Sequence, residues 1–120
     1  WVRYPGLASH PDHALASRQQ DGPGAIVTLD VTGGTDGVRA FLGGLRCFSL
    51  AESLGGVESL VAHPASMTHV SMPPEVQKAA GLTPGMLRLS VGIEDAGDLI
   101  ADLSAGLARA RAAAEASGTS

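Results

Sequence analysis

Arg88 stands in the middle of the alternating run Met86-Leu87-Arg88-Leu89-Ser90-Val91. Such alternation belongs to a strand, with Leu87, Leu89 and Val91 on one face and Met86, Arg88 and Ser90 on the other. A guanidinium fork can grip a carboxylate through two parallel hydrogen bonds, which a lysine's point charge cannot do. The same side chain could also stand solvated on an open sheet face. A second group, Glu52 and Ser53, comes just before Leu54-Gly55-Gly56, between two apolar runs. Glycines there let backbone approach a ligand or supply a positive φ, and a hairpin turn or bulge between two strands would use them equally well. The pairs His10/His13 and His63/His69 have no Cys or carboxylate at zinc-type spacing. Cys47, in an apolar run, reads as a small buried hydrophobe, and "TGGTDG" lacks the GxxxxGK[ST] arrangement of a phosphate loop. No nucleophile, base or metal set stands out.

The elements that would position these residues alternate along the chain. "SHPDHALASRQQ" predicts a short helix with Ser9 at its N-cap and Pro11 in its first turn. "AIVTLDV" is a β-branched run between turn signals, hence a strand, and "TGGTDGVRAFLGGLR" a turn followed by a helix with Val38, Phe41, Leu42 and Leu45 on one face. "CFSLA" and "VESLVAH" read as short strands around the glycine pair, and "PPEVQKAAG" as a short helix opened by proline and closed at Gly81. The last helix starts near Asp95, with Asp98 three residues on as in a capping box, and carries Leu99, Ile100, Leu103 and Leu107 inward. This pattern predicts an α+β class, an α/β sandwich with helices packed on one face of a sheet.

Composition narrows the function. The 120 residues allow one domain, whose core must be built from Ala, Leu, Val and Gly because only four residues are aromatic. A net charge of −4 without a Lys/Arg block argues against nucleic acid or an anionic membrane as partner. One cysteine excludes an internal disulfide, and no apolar run approaches spanning length. A cytoplasmic protein is expected. The start at Trp1, inside a strand-like run, suggests a fragment or processed piece, and the Ala/Ser/Gly-rich end suggests a fraying C-terminus.

Three blocks, "YPGLASHPDHALASRQ", "FSLAESLGGVESLVAHPASMTH" and "GMLRLSVGIEDAGDLIADL", resemble successive signatures in the C-terminal domain of the Cys/Met-metabolism family of pyridoxal-phosphate enzymes. That family includes the cystathionine γ-lyases and γ-synthases. The resemblance runs in order from about residue 3 to residue 109. It implies that residues 1–120 form a single substrate-recognition domain of a fold-type-I enzyme, a small, mainly antiparallel sheet with helices on one face. It makes Arg88 the principal anchor of the substrate's α-carboxylate, with Ser53 and the backbone at Leu54 helping to receive it. An acid at position 52 is similar to the γ-lyase and γ-synthase members, and Glu52 would bind the distal ammonium of cystathionine; "SMTHVS" leans towards a lyase.

The resemblance also implies what this chain lacks. The Schiff-base lysine and the groups that hold pyridoxal phosphate belong to a large domain that precedes the matching segment in the family. Lys78, the only lysine, lies outside any cofactor-lysine motif and reads as a solvated helix residue. The chain alone is expected to be inactive. Joined to its large domain, or to a second chain carrying it, the complete enzyme would be a homotetramer acting on an amino-acid substrate. It would cleave cystathionine to cysteine, 2-oxobutanoate and ammonia, or join cysteine to an activated homoserine. A free-standing non-catalytic amino-acid-binding or assembly module is the alternative.

Overall fold

The computed structural model describes residues 1–67 and 71–118. In chain order the elements are β1 (Val2–Arg3), α1 (His13–Gln19), β2 (Ile26–Asp30), α2 (Gly34–Leu42), β3 (Ser49–Leu50), β4 (Leu60–Ala62), α3 (Pro74–Ala79), β5 (Met86–Ser90) and α4 (Ala96–Ala116). The five strands form one sheet in the order β1-β2-β5-β4-β3. Every neighbouring pair is antiparallel except β3 and β4, which run parallel. The expected mainly antiparallel α+β architecture is therefore present.

Register explains why the sheet has two different faces. Val27 pairs with Leu89, Leu29 with Leu87, and Val61 with Leu89 from the other side, so these apolar residues share one face. Against it lie α2 and α4, and Val38, Phe41, Leu99 and Ala110 complete a single core. Phe41, Leu87 and Leu89 are almost wholly excluded from water, each burial being worth about 1.5–3 kcal/mol. The helices α1 and α3 bury no residue, so two of the four helices make the sandwich.

Three local expectations are corrected. The first helix starts later than the SHPD signal suggests: Asp12, not Ser9, is its N-cap, without a side-chain cap bond, because 5–12 is first used in a series of tight turns. In α4 the Asp95 cap is present, its carboxylate accepting the Asp98 N–H at 3.0 Å, but the buried stripe differs. Ile100 and Leu107 are exposed, while Asp102, Gly106, Ala110 and Ala114 face inward with Leu99. Small residues are needed there because α2 comes so close that a Cβ on Gly106 would lie 2.9 Å from the Phe41 ring. Finally, Gly55-Gly56 do not make a hairpin. Parallel β3 and β4 cannot be joined by a tight turn, so residues 51–59 form a crossing connection instead.

Candidate functional site

Arg88 sits in the central strand β5, flanked in register by Thr28 of β2 and Ala62 of β4. Both neighbours are small, which leaves room for a guanidinium on the face opposite the core. That face is not the open polar surface that alternation suggests. Met86 and Ser90 are 6% and 1% exposed and Arg88 is half-buried; over Arg88 and Ser90 lies the 51–59 connection, which bonds both. The Arg88 Nη2 donates to the Ser53 carbonyl at 3.3 Å, a long bond. Its Nε is buried and has no hydrogen-bond partner among the described residues. A buried donor without an acceptor costs about 1–3 kcal/mol, and a carboxylate laid along the Nε–Nη2 edge would satisfy both N–H groups with charge assistance.

The connection is pinned at two places. Near its middle, the Gly55 N–H donates to Ser90 Oγ at 2.8 Å. Gly55 has φ +80°, a left-handed conformation that side chains resist. At its end, Ile93 N–H donates to the Val57 carbonyl at 3.0 Å. Ser59, fully buried, donates its N–H to Glu94 Oε2 at 3.0 Å and its hydroxyl to Oε1 at 2.7 Å, and accepts the Gly92 N–H at 2.9 Å. These two bonds from Ser59, backbone first, hold the Glu94 carboxyl below its usual range. Glu52, Ser53 and Leu54 are exposed on the near side of this connection, and the Ser53 carbonyl places it beside Arg88.

The remaining candidates do not join this site. His10 Nδ1 accepts the Asp12 N–H and His13 donates to the Pro5 carbonyl, so both serve the 5–13 turns. His63 is buried between Ser66 Oγ at 2.7 Å and the Pro84 carbonyl at 2.6 Å. Its proposed partner His69 lies outside the described residues, as does the middle of "SMTHVS". Among the described residues no group of three His, Cys, Asp or Glu could hold a metal ion, and no helix is long and apolar enough to cross a membrane. Cys47 is half-buried against the core; burial, then the charges of Asp102, Asp98 and Glu94, push its thiol up and keep it in the weakly nucleophilic form.

The sequence reading did not single out two charged residues of α4, buried Asp102 and half-buried Arg109. Asp102 accepts the N–H groups of Arg46, Cys47 and Phe48 at 2.9, 2.8 and 3.3 Å and ties the 46–48 turn to α4. Burial pushes its carboxyl up, but the three N–H donors and nearby Arg109 outweigh that and hold it below the usual range. Arg109 in turn donates to the Ala40 and Phe41 carbonyls at the end of α2. The signal for Asp102 was available: it is a charged residue three positions after Leu99, on the inward phase of a helix.

The Cys/Met metabolism PLP-dependent enzyme family matches residues 1–108. The chain belongs to that family. Cystathionine gamma-synthase of Escherichia coli (strain K12) is 52% identical over 103 residues, which are 86% of this chain and 27% of that protein. Cystathionine gamma-lyase of Dictyostelium discoideum is 51% identical over 106 residues, 88% of this chain and 27% of that protein. Among solved structures, cystathionine gamma synthase from Xanthomonas oryzae pv. oryzae in complex with cystathionine superposes with a TM-score of 0.87 at 62% identity, covering 94% of this chain and 29% of that one. The chain thus spans 27% to 29% of the length of these relatives.

Pyridoxal phosphate is the cofactor of the family, and the residues of this chain do not by themselves fit it. The cofactor needs an amine, and the single lysine, Lys78, is exposed in the last turn of α3, on none of the strands that build the Arg88 face. The orphaned donor belongs to Arg88 and suits a carboxylate.

Proposed function

We propose that this chain is the substrate-recognition part of a transsulfuration enzyme, a single C-terminal domain that binds the amino-acid end of cystathionine. The observation that carries this reading is the buried Nε of Arg88, unpartnered among the described residues, beside an Nη2 held only at 3.3 Å. Arg88 anchors the α-carboxylate, and Ser53 with the backbone at Leu54 closes over it. Glu52, on the exposed side of the same connection, meets the distal ammonium. The likeness to both γ-synthases and a γ-lyase supports cystathionine as the shared ligand, since one reaction forms it and the other consumes it.

The rest of the polypeptide, or a partner chain, supplies pyridoxal phosphate, whose ring provides the electron sink for chemistry at the substrate's carbon chain. This chain's residues orient the substrate for that chemistry and exclude water from its carboxylate. The complete enzyme is a cytoplasmic homotetramer on this reading. The test is Arg88→Ala in the complete enzyme with cystathionine. Loss of a charge-assisted bidentate contact lowers kcat/KM on the order of 100-fold, carried mainly by KM. An unchanged KM and turnover would overturn the assignment.

A further inference from the structure

Ser90 lies two residues beyond Arg88 on the same face of β5 and is 1% exposed. A hydroxyl so buried is costly in a strand unless it is used. Here it accepts the Gly55 N–H at 2.8 Å, across 35 positions of sequence. The bond falls where the chain turns through a positive φ, directly after Ser53 and Leu54. The far end of the connection is pinned separately, by Val57 to Ile93 and by Ser59 to Glu94 and Gly92. Removing the Ser90 acceptor therefore loosens residues 53–55, leaving Ser53 its long 3.3 Å bond from Arg88, without releasing 57–59.

We propose that Ser90 is a positioning residue for the carboxylate site, acting through Gly55 to hold Ser53 and Leu54 against the guanidinium edge of Arg88. This rests on the reading of Arg88 given above and extends it to a residue that touches the loop and not the substrate. The consequence is a defect in binding that leaves turnover of bound substrate intact.

The test compares Ser90→Ala, Ser90→Cys and Ser90→Thr in the complete enzyme, with cystathionine as substrate and Arg88→Lys as control. Ala removes the acceptor and Cys replaces it with a somewhat larger and far weaker one, so both raise KM about tenfold and leave kcat within about twofold. Thr keeps the hydroxyl and suits a strand, and it restores KM to near that of the parent. In the Arg88→Lys background, Ser90→Ala adds little, since both act on one contact. If Arg88→Lys leaves KM unchanged, the carboxylate reading fails and this inference with it. If Arg88→Lys raises KM and Ser90→Ala does not, the Ser90 inference alone fails. Equal defects in all three Ser90 variants, or loss of soluble enzyme with both Ala and Cys, would make Ser90 a packing residue and overturn the proposal.

Discussion

Arg88 and Glu52 differ in how deeply the fold commits to them. Arg88 is half-buried, and among the described residues its Nε is left without an acceptor, a cost of the folded state that a carboxylate would remove on the proposed reading. Glu52 is exposed, so on the proposed reading its contact with a substrate ammonium would be that of a surface ion pair. Glu52→Gln is accordingly expected to raise KM for cystathionine about two- to fivefold while leaving methionine, which has no distal ammonium, unaffected. Steady-state kinetics on both substrates in the complete enzyme checks this, and parallel changes for the two would remove Glu52 from the specificity argument. Arg88 was legible because an arginine at mid-strand breaks an apolar run. The partners Ser90 and Ser59 were not, because each bonds a residue that only the crossing of the 51–59 connection brings near.

Elements are joined here by carboxylates and by close backbone approach. Glu94 ties the end of the connection to the turn before α4, and Asp102 ties the 46–48 turn to α4 itself. Both carboxyls titrate below their ordinary values in the folded chain. Their stabilisation is thus complete above the ordinary carboxylate range and is lost as pH falls through the lowered folded values, since the unfolded chain takes up the protons first. The thermal midpoint should hold steady from neutral pH to about pH 5 and drop below about pH 4. Glu94→Gln should flatten part of that drop, and an unaltered acid limb would show that Glu94 does not contribute to it. Gly106 tests the α2–α4 approach. Alanine gains about 1 kcal/mol of helix propensity, but its methyl meets the buried Phe41 ring at 2.9 Å. Overpacking of this kind costs about 1–3 kcal/mol. Because Phe41 has no exposed side to move towards, the clash wins, and Gly106→Ala is expected to lower the midpoint by several degrees in a thermal melt. A raised midpoint would show that the ring gives way.

At the scale of the whole molecule, the chain spans 27% to 29% of its relatives' length, and its single lysine lies exposed on α3, away from Arg88. The face that carries Arg88 is formed by the chain's own strands and its own connection. The opposite side bears an apolar groove of about 390 Å³ between the first strands and α4, lined by Trp1, Val27, Phe41, Val91, Leu103 and Leu107. The isolated chain is therefore expected to release no cysteine or 2-oxobutanoate from cystathionine, with or without added pyridoxal phosphate. A thiol-release assay on the purified chain decides this. Turnover by the chain alone would mean that Lys78 or another group supplies the missing chemistry, contrary to its placement in α3. Saturable cystathionine binding without turnover would show that the chain's own residues suffice for recognition, as both the proposed reading and an amino-acid-binding module require.

By itself the sequence determined the alternation of elements, the apolar face of β5, the Asp95 cap of α4 and the presence of a guanidinium at mid-strand. All of these follow from local periodicity and side-chain chemistry, which a chain carries in its own order. Tertiary structure alone decided that β3 and β4 run parallel, that small residues and not Ile100 and Leu107 face α2, and that the polar face of β5 is roofed by the 51–59 connection. Each of those outcomes depends on pairing between segments tens of residues apart, where the competition is between alternative packings of the whole chain. Local preference is too weak to settle that competition.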